Sequence, residues 1–161
     1  MNHLSGIEIF NKIRFSENRC VHPWISLASG CYFFSRSYST WESGRDMCRN
    51  EGGHLLQIES REENLAIRQY ISEESIRLRG HYWIGLNDRG QEGDWVWEAS
   101  GQQVERGFVN WKSRQPDSNG GNQDCGYMEP DQSFRWGDID CNLSQNVHPV
   151  CEKGKKVIKQ S

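Results

Sequence analysis

Tyr82-Trp83-Ile84-Gly85-Leu86 is a short, almost wholly apolar run between polar, turn-forming residues, and it predicts a buried β-strand. Asp94-Trp95-Val96-Trp97 follows it, and the alternation of its side chains predicts a second strand. Beyond a long stretch at 101–123 that is dense in Gly, Asn, Ser, Gln and Pro, two further strands are predicted to end at Cys141 and Cys151. The second half of the chain is therefore expected to form a sheet of short strands.

Two helices are predicted before these strands, each from a capping-box pair in which Ser is followed three residues later by Glu. The pairs are Ser39 with Glu42 and Ser60 with Glu63. The residues predicted to recur on the apolar faces are Trp41, Met47 and Cys48 in the first helix and Leu65, Ile67, Tyr70 and Ile71 in the second. A hairpin over 20–34 and a strand over 54–58 complete this half. Helices followed by a run of strands indicate the α+β class.

Length and charge exclude several classes of protein. The chain has 161 residues, which favours a single domain, and a net charge of only −3. A nucleic-acid binder would show a clear basic excess, so no nucleic-acid partner is expected. No window approaches the ~18–20 apolar residues of a membrane span, so membrane insertion by this chain is not expected either.

The six cysteines stand at positions 20, 31, 48, 125, 141 and 151. An even number fits three disulfides, although six cysteines allow ~15 connectivities. A zinc site is disfavoured because no two cysteines are closely spaced and the histidines are scattered. Disulfides indicate an oxidising, extracellular setting. Because residues 1–19 lack a signal-like apolar run, we expect a removed leader or a fragment of something longer.

Several landmarks in a fixed order identify a family resemblance. They are Trp83-Ile84-Gly85-Leu86, Trp95-Val96-Trp97, Phe108-Val109-Asn110-Trp111, Gln115-Pro116-Asp117 and Trp136-Gly137-Asp138. Together with the cysteine positions, they resemble the C-type lectin-like domains. The resemblance covers Cys20 to about Glu152. It implies a lectin-like domain at 20–152. Residues 1–19 lack a strong period and are expected to form an N-terminal extension, and residues 153–161 are expected to form a basic tail.

The resemblance also implies a fold and a disulfide pairing. The implied fold is an α+β C-type lectin-like fold, with two helices packed on small antiparallel sheets beside a long irregular loop region. The implied disulfides are Cys20–Cys31, Cys48–Cys151 and Cys125–Cys141. Trp83, Trp95, Trp97 and Trp111 are expected to pack in the core.

Residues 115–138 carry the functional expectation, because carboxylate and amide oxygens are the ligands that calcium prefers. The resemblance implies that a single set of side chains holds Ca²⁺ and binds sugar hydroxyls, and that the Gln115–Pro116 peptide bond is cis. That set consists of Gln115, Asp117, Gln123 and Asp138. The order Gln-Pro-Asp resembles galactose-type members, whereas the reverse order of amide and carboxylate resembles mannose-type members.

The loop departs from the family pattern at two positions. Gln123 replaces an expected acid, so the site loses one negative charge, and Gly137 replaces an expected Asn, so one ligand disappears. We therefore expect a calcium affinity lower than that of a complete site. Accessory calcium candidates are Asp88, Glu92 and Asp124, although Asp88 and Glu92 also fit a role as turn acids. Another family site would use Glu63 and Glu152, but capping already accounts for Glu63.

The sequence thus predicts an extracellular lectin, secreted or the ectodomain of a larger membrane protein, with terminal galactose or N-acetylgalactosamine as ligand. Its expected partners are glycans or glycoproteins, and a homo-oligomer would add avidity. The alternative is a lectin-like domain with a decayed calcium site that binds a protein ligand. A surface binder on the same scaffold is a third class. No nucleophile motif or phosphate loop predicts an enzyme.

Asn142-Leu143-Ser144 is an N-glycosylation sequon. It could be used if a eukaryotic cell secretes the protein, although short sequons also match by chance.

Overall fold

The strand predicted at Tyr82 forms the centre of the sheet, and every residue of that strand after His81 is buried. The computed structural model describes residues 20–28, 30–74, 79–130 and 133–154. The strands are β1 Ile25–Leu27, β2 Gly30–Phe34, β3 His54–Leu55, β4 His81–Asn87, β5 Val96–Trp97, β6 Cys125–Glu129, β7 Arg135–Ile139 and β8 Val147–Lys153. The helices are α1 Trp41–Asn50 and α2 Arg61–Glu73, with a 3₁₀ turn at Val104–Arg106. These elements confirm the α+β class.

The strands lie in the order β1-β2-β8-β4-β6-β7, with β3 beside β8 and β5 beside β4. All pairs are antiparallel except β4 with β8, which run parallel. The expectation of purely antiparallel sheets is therefore wrong at this pair. The long connection from β4 to β8, which includes the loop region and the β6–β7 hairpin, allows β8 to return in the same direction.

Strand boundaries differ from the predicted ones where hydrogen bonds change partner. The strand predicted over 54–58 pairs only at 54–55, because Leu56 then bonds to both β8 and β4. The strand predicted from Asp94 begins at Val96, because Asp94 belongs to a turn. Three strands, not two, follow the long loop, since Cys125–Glu129 inserts between β4 and β7.

Two clusters of buried side chains form the core, one beneath α2 and one around the disulfide of α1. Trp83, Trp95 and Trp97 are buried, as predicted. Trp111 is half-buried and packs edge-on against Trp95, with 5.0 Å between ring centroids. This edge-on packing holds Trp111, which belongs to the long loop, against the core.

Three disulfides connect the described elements with the pairing that the resemblance implies: Cys20–Cys31, Cys48–Cys151 and Cys125–Cys141. Cys48–Cys151 joins α1 to β8 across 103 residues of sequence. Closing a loop of this length contributes about 4–5 kcal/mol in the chain-entropy account. The third disulfide joins the start of β6 to the turn after β7, next to the candidate calcium loop.

The helices begin close to their predicted residues. Ser60 caps α2, and its hydroxyl accepts the Glu63 N–H at 3.1 Å. For α1 the cap is Thr40 instead of the predicted Ser39, and the Thr40 hydroxyl accepts the Ser43 N–H at 3.2 Å. Leu65 is 47% exposed, contrary to its predicted place on the apolar face, because it stands only two residues from Ile67 on a helix.

We expect Thr40→Ala to lower the free energy of unfolding by about 1 kcal/mol, because the α1 start loses its side-chain acceptor. Ser39→Ala is the matched control and should change stability less, since Ser39 Oγ donates only to the neighbouring Thr40 carbonyl. Chemical denaturation of the two variants checks this. A loss in Ser39→Ala as large as that in Thr40→Ala would contradict the assignment of the cap to Thr40 alone.

The ends of the chain limit two predictions. The extension at 1–19 and residues 155–161 of the tail lie outside the described residues. Lys153, predicted as the first tail residue, is the last residue of β8. Among the described residues, no helix combines the length and the apolar character that a membrane crossing requires.

Candidate functional site

Asp138 joins the long loop to the sheet. Its side chain lies in β7 and is only 2% exposed. Oδ1 accepts the Asp117 N–H at 3.1 Å, and Oδ2 accepts the Ser118 N–H at 2.7 Å. In return, the Asp138 N–H donates to Oε1 of Gln115 at 3.1 Å. These bonds close a ring between loop and strand, and the Gln115–Pro116 peptide bond within it is cis, as the resemblance implies.

Gln123 belongs to the same arrangement. The Asn119 N–H donates to Gln123 Oε1 at 2.9 Å and to Asp117 Oδ1 at 3.2 Å. Gln123 is half-buried, whereas Asp117 is exposed. The four predicted residues are therefore brought together by the backbone amides of Asp117 to Asn119 and of Asp138.

The atoms that this loop can offer to a metal ion are all oxygens, which are the ligands that calcium prefers. Each oxygen that accepts one backbone hydrogen bond keeps further lone-pair capacity. Asp117 and Asp138 supply the two carboxylates, and Gln115 and Gln123 supply amide carbonyls. The residues fit calcium in chemical type. If each residue offers one oxygen, the four residues fall short of the ~6–8 ligands of a full shell, and waters or hydroxyl groups of another molecule would complete it.

The space beside Gly137, where the resemblance implies Asn, is filled. A Cβ atom at Gly137 would lie 2.8 Å from Cε1 of Tyr127 and 3.1 Å from Cε of Lys112. The Lys112 ammonium donates to the Tyr127 hydroxyl at 2.8 Å and to the Glu129 carboxylate. We call Lys112, Tyr127 and Glu129 the rim cluster. Its side chains occupy the room that a side chain at 137 would need.

The rim cluster has a stable charge state. Partial burial lowers the pKa of Lys112, but its hydrogen bonds to Glu129 and Tyr127 outweigh this and hold that pKa above its ordinary value. Sequence reasoning missed these three residues. The sequence carries no local signal for them, because Tyr127 covers Gly137 only once β6 and β7 have paired in the register that sets the two residues opposite each other.

A second group of acids lies behind the loop. Oxygens of Asp88, Glu92 and Asp124 lie within 4.8 Å of one another. Asp88 is 2% exposed, and its Oδ2 accepts the Gly93 N–H at 2.8 Å. Its Oδ1 is buried and has no hydrogen-bond partner within the described part of the chain. The structure therefore unites the three accessory residues, and a cation would supply the partner that Asp88 lacks.

Electrostatics support the same interpretation. Burial raises the pKa of Asp88 above its usual range, the Gly93 N–H partly opposes this, and the charges of Glu92 and Asp124 raise it further. Such a carboxylate is destabilised while it has no cation beside it. A cation bound among these three carboxylates would offset the cost of burying the charged form of Asp88.

The two candidate sites share a segment of chain. Gln123 contributes to the loop and the adjacent Asp124 contributes to the acid cluster. The Asp88 N–H also donates to the Asp124 carbonyl at 3.1 Å. The peptide bond from Gln123 to Asp124 and this backbone hydrogen bond thus connect the two candidate sites.

We expect Asp88→Asn to remove at least half of the rise in melting temperature that calcium produces. In EDTA, the same variant should be more stable than the parent by about 1 kcal/mol, because a buried, repelled carboxylate with an unpartnered oxygen is gone. Calorimetric melts with calcium and with EDTA measure both effects. Glu105→Gln, an exposed acid outside the cluster, is the control. A full calcium response in Asp88→Asn would show that the cluster is only a turn.

The carboxylates of Glu63 and Glu152 accept hydrogen bonds from other residues of the chain. Glu63 accepts the Tyr32 hydroxyl at 2.7 Å and the Glu59 N–H at 2.8 Å. Glu152 accepts the Gln57 N–H at 3.1 Å. Both acids are buried, which favours the structural role over a further metal site.

Comparison with known proteins adds independent findings. The family described as "Lectin C-type domain" matches residues 37–153. The perlucin-like protein of Mytilus galloprovincialis is 34% identical over 126 residues, which cover 78% of this chain and 78% of that protein. Asialoglycoprotein receptor 2 of Mus musculus is 35% identical over 144 residues, which cover 86% of this chain. The match spans 43% of the receptor's length.

A solved structure agrees with these sequence matches. The mouse scavenger receptor C-type lectin carbohydrate-recognition domain superposes with a TM-score of 0.72 at 32% identity. The superposition covers 86% of this chain and 99% of that domain.

Proposed function

The chain belongs to the C-type lectin domain family, and from that premise we propose that it binds carbohydrate through calcium, with terminal galactose or N-acetylgalactosamine as the preferred ligand. The mouse structure is described as a carbohydrate-recognition domain, and the receptor relative is named for asialoglycoproteins. Both descriptions support a glycan or glycoprotein as the partner of this chain.

The observation that carries the proposal is the hydrogen-bonded ring of Gln115, Asp117 and Asp138. It presents an amide carbonyl and two carboxylates from one loop and one strand. Gln115, Asp117, Gln123 and Asp138 would hold the ion, which when bound supplies a positive charge that attracts hydroxyl oxygens. The same side chains accept or donate hydrogen bonds to those hydroxyls, so they also orient the sugar.

The order of amide and acid sets the preference for galactose. Gln115 offers both an acceptor and donors, whereas Asp117 only accepts when ionised. Exchanging the amide at 115 and the carboxylate at 117 changes which pair of vicinal hydroxyls on the sugar finds hydrogen-bond partners. A sugar of the wrong configuration then leaves polar groups unpaired, which penalises its binding.

Asp88, Glu92 and Asp124 would hold an accessory ion behind the loop. They act on sugar binding indirectly. Asp124 is adjacent to Gln123 in the chain, and the carbonyl of Asp124 accepts the Asp88 N–H. The proposed setting is extracellular, as a secreted protein or a receptor ectodomain. Single lectin sites bind weakly, so clustering of several copies would raise the avidity.

The direct test is retention of the purified protein on immobilised galactose in millimolar calcium. We expect retention, release by EDTA and competition by free galactose. Failure to bind any member of a broad glycan array under the same conditions would reject the lectin function.

The double variant Gln115→Glu with Asp117→Asn reverses the order of amide and acid. We expect its galactose binding to fall by about 10-fold or more and mannose binding to appear, since different hydroxyl pairs are now satisfied. Solid-phase competition with the two sugars measures the exchange. Gln102→Glu, a change of the same kind at an exposed residue outside the 115–124 segment, should leave both affinities unchanged. If the double variant still binds galactose more tightly than mannose, the role assigned to Gln115 and Asp117 in sugar preference is wrong.

A second candidate function is a calcium-independent protein ligand. The specific observation is that the loop is already closed by its own hydrogen bonds, while the rim cluster fills the position beside Gly137. A calorimetric calcium titration separates the candidates. A saturable site in the micromolar to millimolar range that persists in Asp88→Asn, in which the accessory cluster is disabled, supports the lectin. No measurable heat in that variant at any of these concentrations supports the protein binder.

A further inference from the structure

The sequon Asn142-Leu143-Ser144 lies at the surface, in the turn that follows β7. Asn142 and Ser144 are exposed, and Leu143 is 42% exposed although it is apolar. No other asparagine of the chain is followed by Ser or Thr two positions later. The proposed lectin function does not use these residues.

The backbone of this segment forms a tight turn. The Leu143 N–H donates to the Asp140 carbonyl at 3.1 Å, which closes a turn from Asp140 to Leu143. The Asn142 N–H donates to Oδ1 of Asp140 at 2.9 Å. Asn142 therefore sits near the tip of a turn whose own hydrogen bonds hold it away from the sheet.

The side chain of Asn142 is available for modification. Within the described part of the chain, its amide takes part in no hydrogen bond or ion pair, so attachment of a bulky group breaks no native contact. The preceding residue, Cys141, is fixed by its disulfide to Cys125. A large polar group at this tip would extend into solvent without disturbing the core.

The turn is also a neighbour of the candidate sugar-binding loop. Oδ2 of Asp140 accepts the side-chain amide of Asn122 at 3.2 Å. One carboxylate thus bonds to the sequon turn through one oxygen and to the 115–124 loop through the other. A group on Asn142 would stand at the edge of that loop.

We propose that Asn142 is an N-glycosylation site and that its glycan borders the sugar-binding loop. The donor is a lipid-linked pyrophosphate oligosaccharide of the secretory pathway. Nδ2 of Asn142 forms a bond to C1 of the first sugar, the bond from C1 to the pyrophosphate oxygen breaks, and the lipid pyrophosphate leaves with the electron pair. One amide proton is lost. The proposal rests on the extracellular setting, not on any sugar specificity.

The test is expression of the full chain behind a cleavable secretory leader in animal cells, with analysis of the protein in the medium and in the secretory compartments. We expect most molecules to carry one glycan. Digestion with peptide-N-glycosidase should remove the glycan and convert residue 142 to aspartate, which leaves the chain about 1 Da heavier and which peptide mass spectrometry locates. If most of the chain in either fraction is unmodified at Asn142, the proposal is overturned.

Matched variants separate the site from general effects of expression. Asn142→Gln and Ser144→Ala should both abolish the mass shift, whereas Ser144→Thr should retain it. Because galactose binding is not a readout, loss of the lectin function and loss of glycosylation are distinguishable. A mass shift that persists in Asn142→Gln would place the glycan elsewhere and count against this site.

Discussion

Asp138→Ala is expected to reduce galactose binding by about 100-fold or more, because it removes one carboxylate and the anchor of the loop. Asp138 is buried, and its two oxygens accept the N–H groups of Asp117 and Ser118. Without them, the Asp117 and Ser118 amides lose their acceptor, and only the backbone N–H of residue 138 still holds the loop, through Gln115 Oε1. The loop would no longer present its oxygens in one place.

Isothermal titration or solid-phase binding with galactose measures this loss. Asp138→Asn should lie between parent and alanine variant, because it keeps one acceptor oxygen but no charge. Asp140→Asn is the control, since that carboxylate lies two residues on and bonds to Asn122 and Asn142 instead of the ring. Binding by Asp138→Ala within a few-fold of the parent would refute the proposed site.

Gly137→Asn is expected to destabilise the protein by about 1–3 kcal/mol, although it introduces the residue that the family carries there. Its Cβ atom would lie 2.8 Å from the Tyr127 ring and 3.1 Å from Cε of Lys112. The ring is held on one side by Lys112 and packs edge-on against His81 at 5.2 Å between centroids. It therefore has little freedom to move aside.

Combining Gly137→Asn with Tyr127→Ser should open this space. The double variant is expected to bind calcium about 10-fold more tightly than Tyr127→Ser alone, because one further amide oxygen becomes available. Denaturation curves and calcium titrations on the full set measure both effects. Gly90→Asn is the matched control, since nothing lies within 4 Å of a Cβ atom there. A stable single variant with improved calcium affinity would show that the rim cluster does not block position 137.

Local patterns in the sequence were sufficient for much of the fold. The apolar run at Tyr82 predicts the central strand because a segment buried on both faces must be apolar throughout. Ser60 predicts the start of α2 because capping depends on residues only three positions apart. The N-cap of α1 is Thr40, one residue after the predicted Ser39, because two adjacent hydroxyl residues compete for that role.

The oxygen-bearing residues of the candidate site were likewise recognisable by type and order, but their surroundings were not. Asp88 and Asp124 converge only because β4 and β6 pair, which places residues distant in sequence side by side. The register of β6 and β7 sets Tyr127 opposite Gly137.

Residue type and short-range spacing thus determined the class of fold, the helix starts and the chemistry of the loop. Tertiary structure alone decided that β4 and β8 run parallel, that Asp88 is buried among other acids, and that Tyr127 and Lys112 fill the space beside Gly137. The physical reason is the separation along the chain of the residues that interact. Periodicity and capping arise from neighbours along the chain, whereas desolvation, charge repulsion and steric exclusion depend on contacts that exist only after distant strands have paired.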